Sequence, residues 1–194
     1  MDLGFNIKEE KLKCCFIGHR KIEKSVELNT KLKIVIEDLI VNKNVEAFLF
    51  GSKSEFDSLC HSIVCELKNK YTNIRRVSYT CGSESCILER DREAWEKIYF
   101  KIYKQQVSLL CFDDEVEHKS KYYAGKAGYI ERNKAMINDS DYCVFYYDDN
   151  YLPPERKHSK RCVLTYQPNS GTKLAFDYAM KTNKIVINVK NCVN

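Results

Sequence analysis

The sequence lacks the apolar stretches that membrane and secreted proteins need. Its longest apolar runs have the length of a β-strand, well short of the roughly 20 residues in a membrane-spanning helix. Residues 1–10 contain no basic segment followed by an apolar stretch, so no secretory signal is visible. These absences predict a soluble, cytoplasmic protein that does not contact a membrane.

The ten cysteines lack the spacing of a metal or redox site. No two of them form a Cys-x-x-Cys pair, and Cys60 with Cys65 or Cys81 with Cys86 have four intervening residues and no matching histidine pair. Several others lie inside apolar runs, where cysteine acts as a small hydrophobic residue: Cys14, Cys15, Cys111 and Cys143. We expect reduced thiols, no metal site and no cofactor.

The charges show no concentration of one sign over most of the chain. The 32 basic and 27 acidic residues give a net charge of +5 and are interspersed, which is typical of a solvated surface. One basic cluster, residues 156–161, follows Pro153 and Pro154 in a predicted loop. A solvated or phosphate-contacting loop is favoured there, and nucleic-acid binding is not expected.

An apolar run that ends at a glycine is the central feature of the chain. Residues 45–50 predict a buried strand, Gly51 a tight turn, and Ser54 the cap of a helix whose first turn holds Glu55 and Asp57. A helix that starts directly after a strand presents backbone N–H groups and a positive dipole end. This arrangement predicts a site for an anion such as phosphate.

Two other segments repeat this pattern. Gly18, His19 and Arg20 follow a predicted strand at residues 13–18 that is buried on both faces, and Ser170, Gly171 and Thr172 open a predicted helix. If the strands are parallel, all three turns lie at the carboxyl ends of strands and line one crevice, which is the usual ligand site of an open α/β sheet.

The remaining chain alternates strands and helices, which predicts one domain over residues 1–194 with a doubly wound, mainly parallel sheet. An amphipathic helix starts near Ser25, and residues 74–79 fit a strand at the sheet edge. The other predicted elements are a helix at 92–105, a strand at 107–112, a polar loop at 113–126, a helix at 127–137, strands at 142–147 and 184–189, and a lid or insertion at about 148–169.

Four segments in this order resemble the SLOG superfamily, the Rossmann-like group of the DprA and LOG proteins, and within it the YpsA-like branch. They are residues 14–20, residues 50–57, residues 129–141, and residues 170–172 with Tyr178 and Ala179. The resemblance covers almost the whole chain and implies a Rossmann-like α/β fold with helices on both faces. It also implies a pocket for a nucleotide or nucleotide-derived molecule.

The chain departs from relatives in this superfamily at two positions. Related glycosidases carry a catalytic glutamate three residues after the Gly-Thr pair, and here that residue is Ala175. Relatives often have further glycines in the turn that here reads Gly51, Ser52, Lys53, Ser54. With fewer glycines the backbone approaches a bound phosphate less closely. The positive charge of Lys53 is expected to replace part of that contact.

Each candidate site residue also has a purely structural interpretation. Asp57 and Glu55 are candidates to bind a ribose or act as acid or base, but they also suit a helix N-terminus. Arg132 is a candidate to bind a phosphate and Asn133 to bind a base or sugar edge; alternatively they are a surface pair on an amphipathic helix. Tyr129 is the tyrosine we expect to stack on a base. His19 with Arg20, and Ser170 to Thr172, are either ligand contacts or an ordinary buried histidine and helix cap.

Three functions follow from these residues. The first is binding of a nucleotide-derived ligand, such as a signalling nucleotide or an ADP-ribose-like molecule, with phosphates on the Gly51 and Gly171 turns. The second is cleavage of an N-glycosidic bond by Asp57 or Glu55, and the sequence leaves open whether the protein is an enzyme. The third is DprA-like binding of single-stranded DNA, which the interspersed charges disfavour. A homodimer is the expectation by analogy with the fold.

Overall fold

The computed structural model describes residues 11–51, 54–81, 112–119, 126–152 and 169–190. Within these ranges strands and helices alternate along the chain. In order they are β1 (Leu12–Gly18), α1 (Val26–Val41), β2 (Val45–Phe50), α2 (Glu55–Lys68), β3 (Arg75–Cys81), β4 (Asp114–His118), α3 (Lys126–Asn138), β5 (Tyr142–Tyr146), α4 (Gly171–Lys181) and β6 (Ile185–Asn188).

The helices begin where their sequences supply a cap. Ser25 Oγ accepts a hydrogen bond from the Leu28 N–H at 3.0 Å and starts α1. Ser54 caps α2 and Ser170 caps α4 in the same way. Each cap satisfies one of the N–H groups that have no partner inside the helix.

All strand pairs in the described sheet are parallel, in the order β4-β3-β2-β1-β5-β6. The chain builds outward from β1 through β2, β3 and β4, and then returns to the other side of β1 with β5. The direction of strand order therefore reverses between β1 and β5. In open α/β sheets a ligand binds outside the carboxyl ends of the strands at such a reversal.

Hydrophobic side chains fill both faces of the sheet. Cys14 and Phe16 of β1 pack with α1 and α2 on one face, and Cys15 and Ile17 pack with α3 and α4 on the other. Cys14 to Ile17 are all at most 6% exposed. The predicted fold is confirmed: the structure is a Rossmann-like, doubly wound parallel α/β sheet with helices on both faces.

Strand β3 does not lie at the sheet edge, contrary to the prediction for residues 74–79. It pairs with β2 on one side and with β4 on the other. Two of its polar residues pair with β4: Arg75 forms an ion pair with Asp114, and Thr80 Oγ1 donates to Glu115 Oε1 at 3.2 Å. Mixed polarity therefore reflected cross-strand pairing rather than an edge position.

The predicted polar loop at 113–126 contains β4, so this prediction was also wrong. Strand β4 is the last strand on its side of the described sheet, and Glu115, Val116 and Glu117 in its centre are exposed. A charged strand discourages pairing with another chain. Because the centre of β4 is exposed to solvent, its sequence carries no apolar pattern.

Several predicted features fall outside the described residues. These are the helix at 92–105, nearly all of the strand at 107–112, the basic cluster at 156–161, residues 153–168 of the proposed lid, and Ser52 with Lys53. None of the helices that the structure describes has the length and apolar character needed to cross a membrane.

Candidate functional site

The carboxyl ends of β1, β2 and β5 are neighbours, and two of the three predicted turns meet there. Gly18 ends β1 and is in register with Tyr146 of β5. Gly51 follows directly after β2, which pairs with the other side of β1. The His19 N–H donates to the Tyr146 carbonyl at 3.3 Å and extends the β1–β5 pairing beyond the strand.

The turn after β1 is tied to the start of α2. The Glu55 N–H donates to the Arg20 carbonyl at 3.0 Å, and the Ile22 N–H donates to Glu55 Oε2 at 3.2 Å. Glu55 thus holds the loop that follows His19, while the Arg20 side chain is exposed. The Glu55 carboxylate therefore has a structural role at this turn.

Gly18 is required for close packing of β1 against α2. A Cβ at Gly18 would lie 2.4 Å from Phe56 Cδ1 and 2.5 Å from Phe56 Cβ. Phe56 is fully buried. The glycine therefore makes room for a side chain of the protein at this turn.

Gly51 lies against two side chains of α3. A Cβ there would lie 2.2 Å from Met136 Sδ and 2.9 Å from Arg132 Nε. Both side chains are almost completely buried, at 0% and 1% exposure. The structure thereby brings Arg132 next to the Gly51 turn, although the two are distant in sequence.

The Arg132 guanidinium is also in contact with both of its predicted companions. Its Cζ lies 5.0 Å from the centre of the Tyr129 ring, and its Nη2 donates to Asn133 Oδ1 at 3.2 Å. A cation over an aromatic face is attractive. Tyr129, Arg132 and Asn133 therefore act as one group, which presents a buried positive charge beneath Gly51.

Ser54 and Asp57 form the first turn of α2. Ser54 Oγ accepts from the Asp57 N–H at 3.0 Å, and both residues are buried, at 4% and 3% exposure. The structural interpretation as a helix cap is thus correct for Ser54. Asp57 places a buried carboxyl group in a helix N-terminal turn, where the dipole favours its negative charge.

His19 is buried where strand order reverses, with 2% exposure. The Asp148 N–H donates to His19 Nε2 at 3.0 Å, so Nε2 is an acceptor and the neutral ring carries its hydrogen on Nδ1. Burial lowers the pKa of His19, which keeps the ring neutral. Within the described part of the chain, Nδ1 is buried and has no hydrogen-bond partner.

Tyrosine rings surround His19. Tyr151 stacks on it with ring centres 3.9 Å apart and planes at 23°, while Tyr147 lies at 6.0 Å and Tyr146 meets it edge-on at 6.3 Å. Sequence analysis missed Tyr151 and Asp148. The available signal was their position just beyond a buried strand, where residues reach the carboxyl edge of the sheet.

The third predicted turn forms the start of α4. Ser170 Oγ accepts from the Lys173 N–H at 3.0 Å, which makes Ser170 an ordinary N-cap. No described residue lies within 4 Å of the position a Cβ would take at Gly171. Among the described residues, the position of a Cβ at Gly171 is therefore open space beside the N-terminus of α4.

The turn at Ser140 and Asp141 and the side chain of Ala175 lie away from this edge. Asp141 Oδ2 accepts from the Lys13 N–H at 2.8 Å, which places the Ser140–Asp141 turn at the amino ends of β1 and β5. Ala175 is 3% exposed and packs in the core beneath α4.

The sequence matches no protein-family model, and no curated protein matches it significantly. Among the described residues, no group of three or more histidine, cysteine or acidic side chains is arranged to hold a metal ion.

Proposed function

We propose that the protein binds a nucleotide or a nucleotide-derived small molecule across the carboxyl ends of β1, β2 and β5. The observation that carries the proposal is His19. A buried ring with an Nδ1–H donor that no described residue accepts lies where this fold binds its ligands. A buried donor without an acceptor costs about 1–3 kcal/mol, which a ligand acceptor would offset.

Phosphate binding is supported by the surrounding charges and helix ends. The N-termini of α2 and α4 both point to the carboxyl edge, where their N–H groups and dipoles favour an anion. The buried Arg132 adds a positive charge beneath Gly51. The open space at Gly171 is the place where the α4 N-terminus has room for a phosphate.

The aromatic surroundings of His19 support the nucleobase part of the ligand. Tyr151 already occupies one face of the His19 ring in a stacked arrangement. Flat rings are thus stable at this position, and a base can stack on the same group of rings. In this proposal the Gly51 and Gly171 turns, with Ser54 and Thr172, contact the phosphates, and His19 donates to the base or the sugar.

Titration calorimetry with a nucleotide panel tests the proposal. The panel contains mono-, di- and triphosphates of each base, cyclic nucleotides and ADP-ribose. Micromolar or tighter binding of one member to the wild-type protein is the expected result. Absence of binding by every member would remove the proposal.

Two variants of one residue locate the phosphate. Gly171→Asp adds a negative charge at the first position of α4, where acidic residues stabilise a helix, so the variant should fold while repelling an anion. Gly171→Ala adds a methyl group without charge and is the matched control. Loss of affinity in the first variant alone is expected, and equal affinity in both would exclude a phosphate at α4.

Cleavage of an N-glycosidic bond is a second candidate, supported by the burial of Asp57. A buried carboxyl group at a ligand site can hold a proton or accept one. Glu55 is less suited because its carboxylate accepts the Ile22 N–H. Release of free base by the wild type and its loss in Asp57→Asn would support the reaction. Zero turnover in both proteins with every nucleotide would end it.

A further inference from the structure

A second group of reactive side chains lies at the opposite edge of the sheet. Cys65 is in the last turn of α2, and Arg76 is near the start of β3. With His61 and Asp113 they form what we call the Cys65 cluster. Helix α2 starts at the carboxyl edge, so its last turn is at the amino edge, away from the proposed nucleotide site.

Arg76 holds a fixed donor against the Cys65 sulfur. Its Nε and Nη2 each donate to one oxygen of Asp113 at 3.1 Å, and its backbone N–H donates to Asp113 Oδ2 at 2.8 Å. The remaining end, Nη1, donates to Cys65 Sγ at 3.2 Å. Because Asp113 holds two nitrogens of the planar guanidinium, the third nitrogen is held in position against the Cys65 sulfur.

The charges around the sulfur favour a thiolate. Lys68 Nζ also lies 3.2 Å from Asp113 Oδ2, so two cations, Lys68 and Arg76, share one carboxylate. A neighbouring arginine or lysine promotes the ionised form of cysteine. The negative end of the α2 dipole opposes this effect, but it amounts to only about half a charge.

His61 supplies a base beside the same sulfur. It is one helical turn before Cys65, and its two ring nitrogens lie 3.6 and 3.7 Å from Sγ. The ring is 3% exposed and is held between Phe50 at 5.1 Å and Phe112 at 4.7 Å. A cysteine next to an oriented histidine is the arrangement of activated thiol nucleophiles.

The other described cysteines have the opposite environment. Cys14, Cys15, Cys60, Cys81 and Cys143 are all buried, whereas Cys65 is half-buried. Burial raises the pKa of Cys14, Cys15 and Cys60, which keeps them as inert thiols. Cys65 therefore combines exposure with a cationic neighbour, which the other cysteines of the described ranges do not.

We propose that Cys65 is a nucleophilic thiolate and a site of oxidation by hydroperoxides. The thiol proton passes to His61 or to solvent. The sulfur then attacks the terminal peroxide oxygen, so that an S–O bond forms and the O–O bond breaks. Sulfur loses two electrons to become a sulfenic acid, and the peroxide leaves as water or an alcohol after taking up the proton.

Site-resolved labelling of the native, reduced full-length protein tests the proposal. The protein is exposed to limiting hydrogen peroxide with dimedone, or to iodoacetamide, and each cysteine peptide is quantified by mass spectrometry. Cys65 should be labelled at least about tenfold faster than Cys60, the buried cysteine of the same helix. Equal rates at Cys65 and Cys60 would overturn the proposal.

A pair of variants separates charge from structure. Arg76→Gln and Asp113→Asn both break the Arg76–Asp113 ion pair, but only the first removes the positive charge beside the sulfur. In Arg76→Gln the fraction of Cys65 present as thiolate should be about tenfold smaller, while each thiolate is intrinsically more nucleophilic. Together these effects should slow iodoacetamide labelling of Cys65 about threefold. In Asp113→Asn the rate should not fall. Equal slowing in both variants would show that the ion pair acts only structurally, and it would also overturn the proposal.

Discussion

Phe56 lies so close to Gly18 that a methyl group at Gly18 would overlap it: the added carbon would be 2.5 Å from Phe56 Cβ. Because Cβ is attached to the backbone, relief requires a shift of α2 away from β1. At Gly51 the corresponding neighbours are Met136 Sδ and Arg132 Nε, which lie nearer the ends of flexible side chains. The two glycines therefore differ in how well their surroundings can adapt.

We expect the three turn glycines to rank by the room around them. Gly18→Ala and Gly51→Ala should each lower the free energy of unfolding by about 1–3 kcal/mol, with Gly18→Ala the more severe. Gly171→Ala meets no described residue and should leave stability unchanged or raise it by up to about 1 kcal/mol. Urea denaturation measures all three. A Gly171→Ala protein as unstable as Gly18→Ala would contradict this ranking.

The central strands and their helices were predictable from the sequence because each apolar run had one interpretation. Strand β2 covers the predicted residues 45–50, and β1 covers the predicted residues 13–18 and begins one residue earlier, at Leu12. Ser25 and Ser54 cap the predicted helices. Burial on both faces leaves an uninterrupted apolar run, and a capping serine marks where the helix begins.

Strand β4 was not predictable from its sequence, and the mixed polarity of residues 74–79 made β3 look like an edge strand. Its sequence, Asp114 to His118, has the composition of a loop. In the described sheet it pairs with β3 alone, and its centre faces solvent. Such a strand is specified by its partner and not by its own residues.

Contacts between distant segments were the part of the candidate site that the sequence could not supply. The pattern around Gly51 identified a turn, but nothing in it indicates that Arg132 and Met136 fill the space beside that glycine. The stacking of Tyr151 on His19 likewise depends on where the chain returns after β5. Local patterns predict elements, whereas the packing between them depends on side-chain volumes from several segments at once.

His19 should make stability fall on acidification. Its folded pKa lies below the ordinary value of 6.5, so below that pH the unfolded chain binds a proton here more readily than the folded chain does. The free energy of unfolding therefore decreases as pH falls from 6.5 toward the lowered value. His19→Gln keeps an acceptor for the Asp148 N–H but does not titrate.

The comparison with His19→Gln isolates this one group from the other titrating residues. The stability advantage of the wild type over the variant should be larger at about pH 7.5 than at about pH 5. Urea denaturation at both values measures it. A difference that stays constant across this range would show that His19 remains equally protonated in both states.

Asp113 should also make stability fall on acidification, but at a lower pH than His19 does. Burial tends to raise its pKa, but hydrogen bonds from Arg76 outweigh this and lower the pKa to about 2. The stabilisation is therefore complete above the ordinary value of 3.8 and is lost as pH falls through about 2. Asp113→Asn should cost about 1 kcal/mol at neutral pH, as for a partly exposed ion pair.

The cost of Asp113→Asn should shrink on acidification, and denaturation curves at about pH 7, 4 and 3 follow it across this window. Glu37→Gln is a matched comparison, because hydrogen bonds from Lys70 and Tyr71 also lower the pKa of Glu37. A constant cost of Asp113→Asn down to the lowest pH would mean that Arg76 does not discriminate between the two protonation states of Asp113.

The Glu55 carboxylate should help to hold the loop after β1. Glu55 Oε2 accepts the Ile22 N–H at 3.2 Å, while the backbone bond from Glu55 to Arg20 is independent of the side chain. Glu55→Ala removes this acceptor and should lower the free energy of unfolding by about 1 kcal/mol. Glu55→Gln keeps an oxygen in place and should cost less. Amide hydrogen exchange measured by NMR should be faster at Ile22 in Glu55→Ala and close to the wild-type rate in Glu55→Gln. Equal protection of Ile22 in all three proteins would show that the contact does not hold the loop.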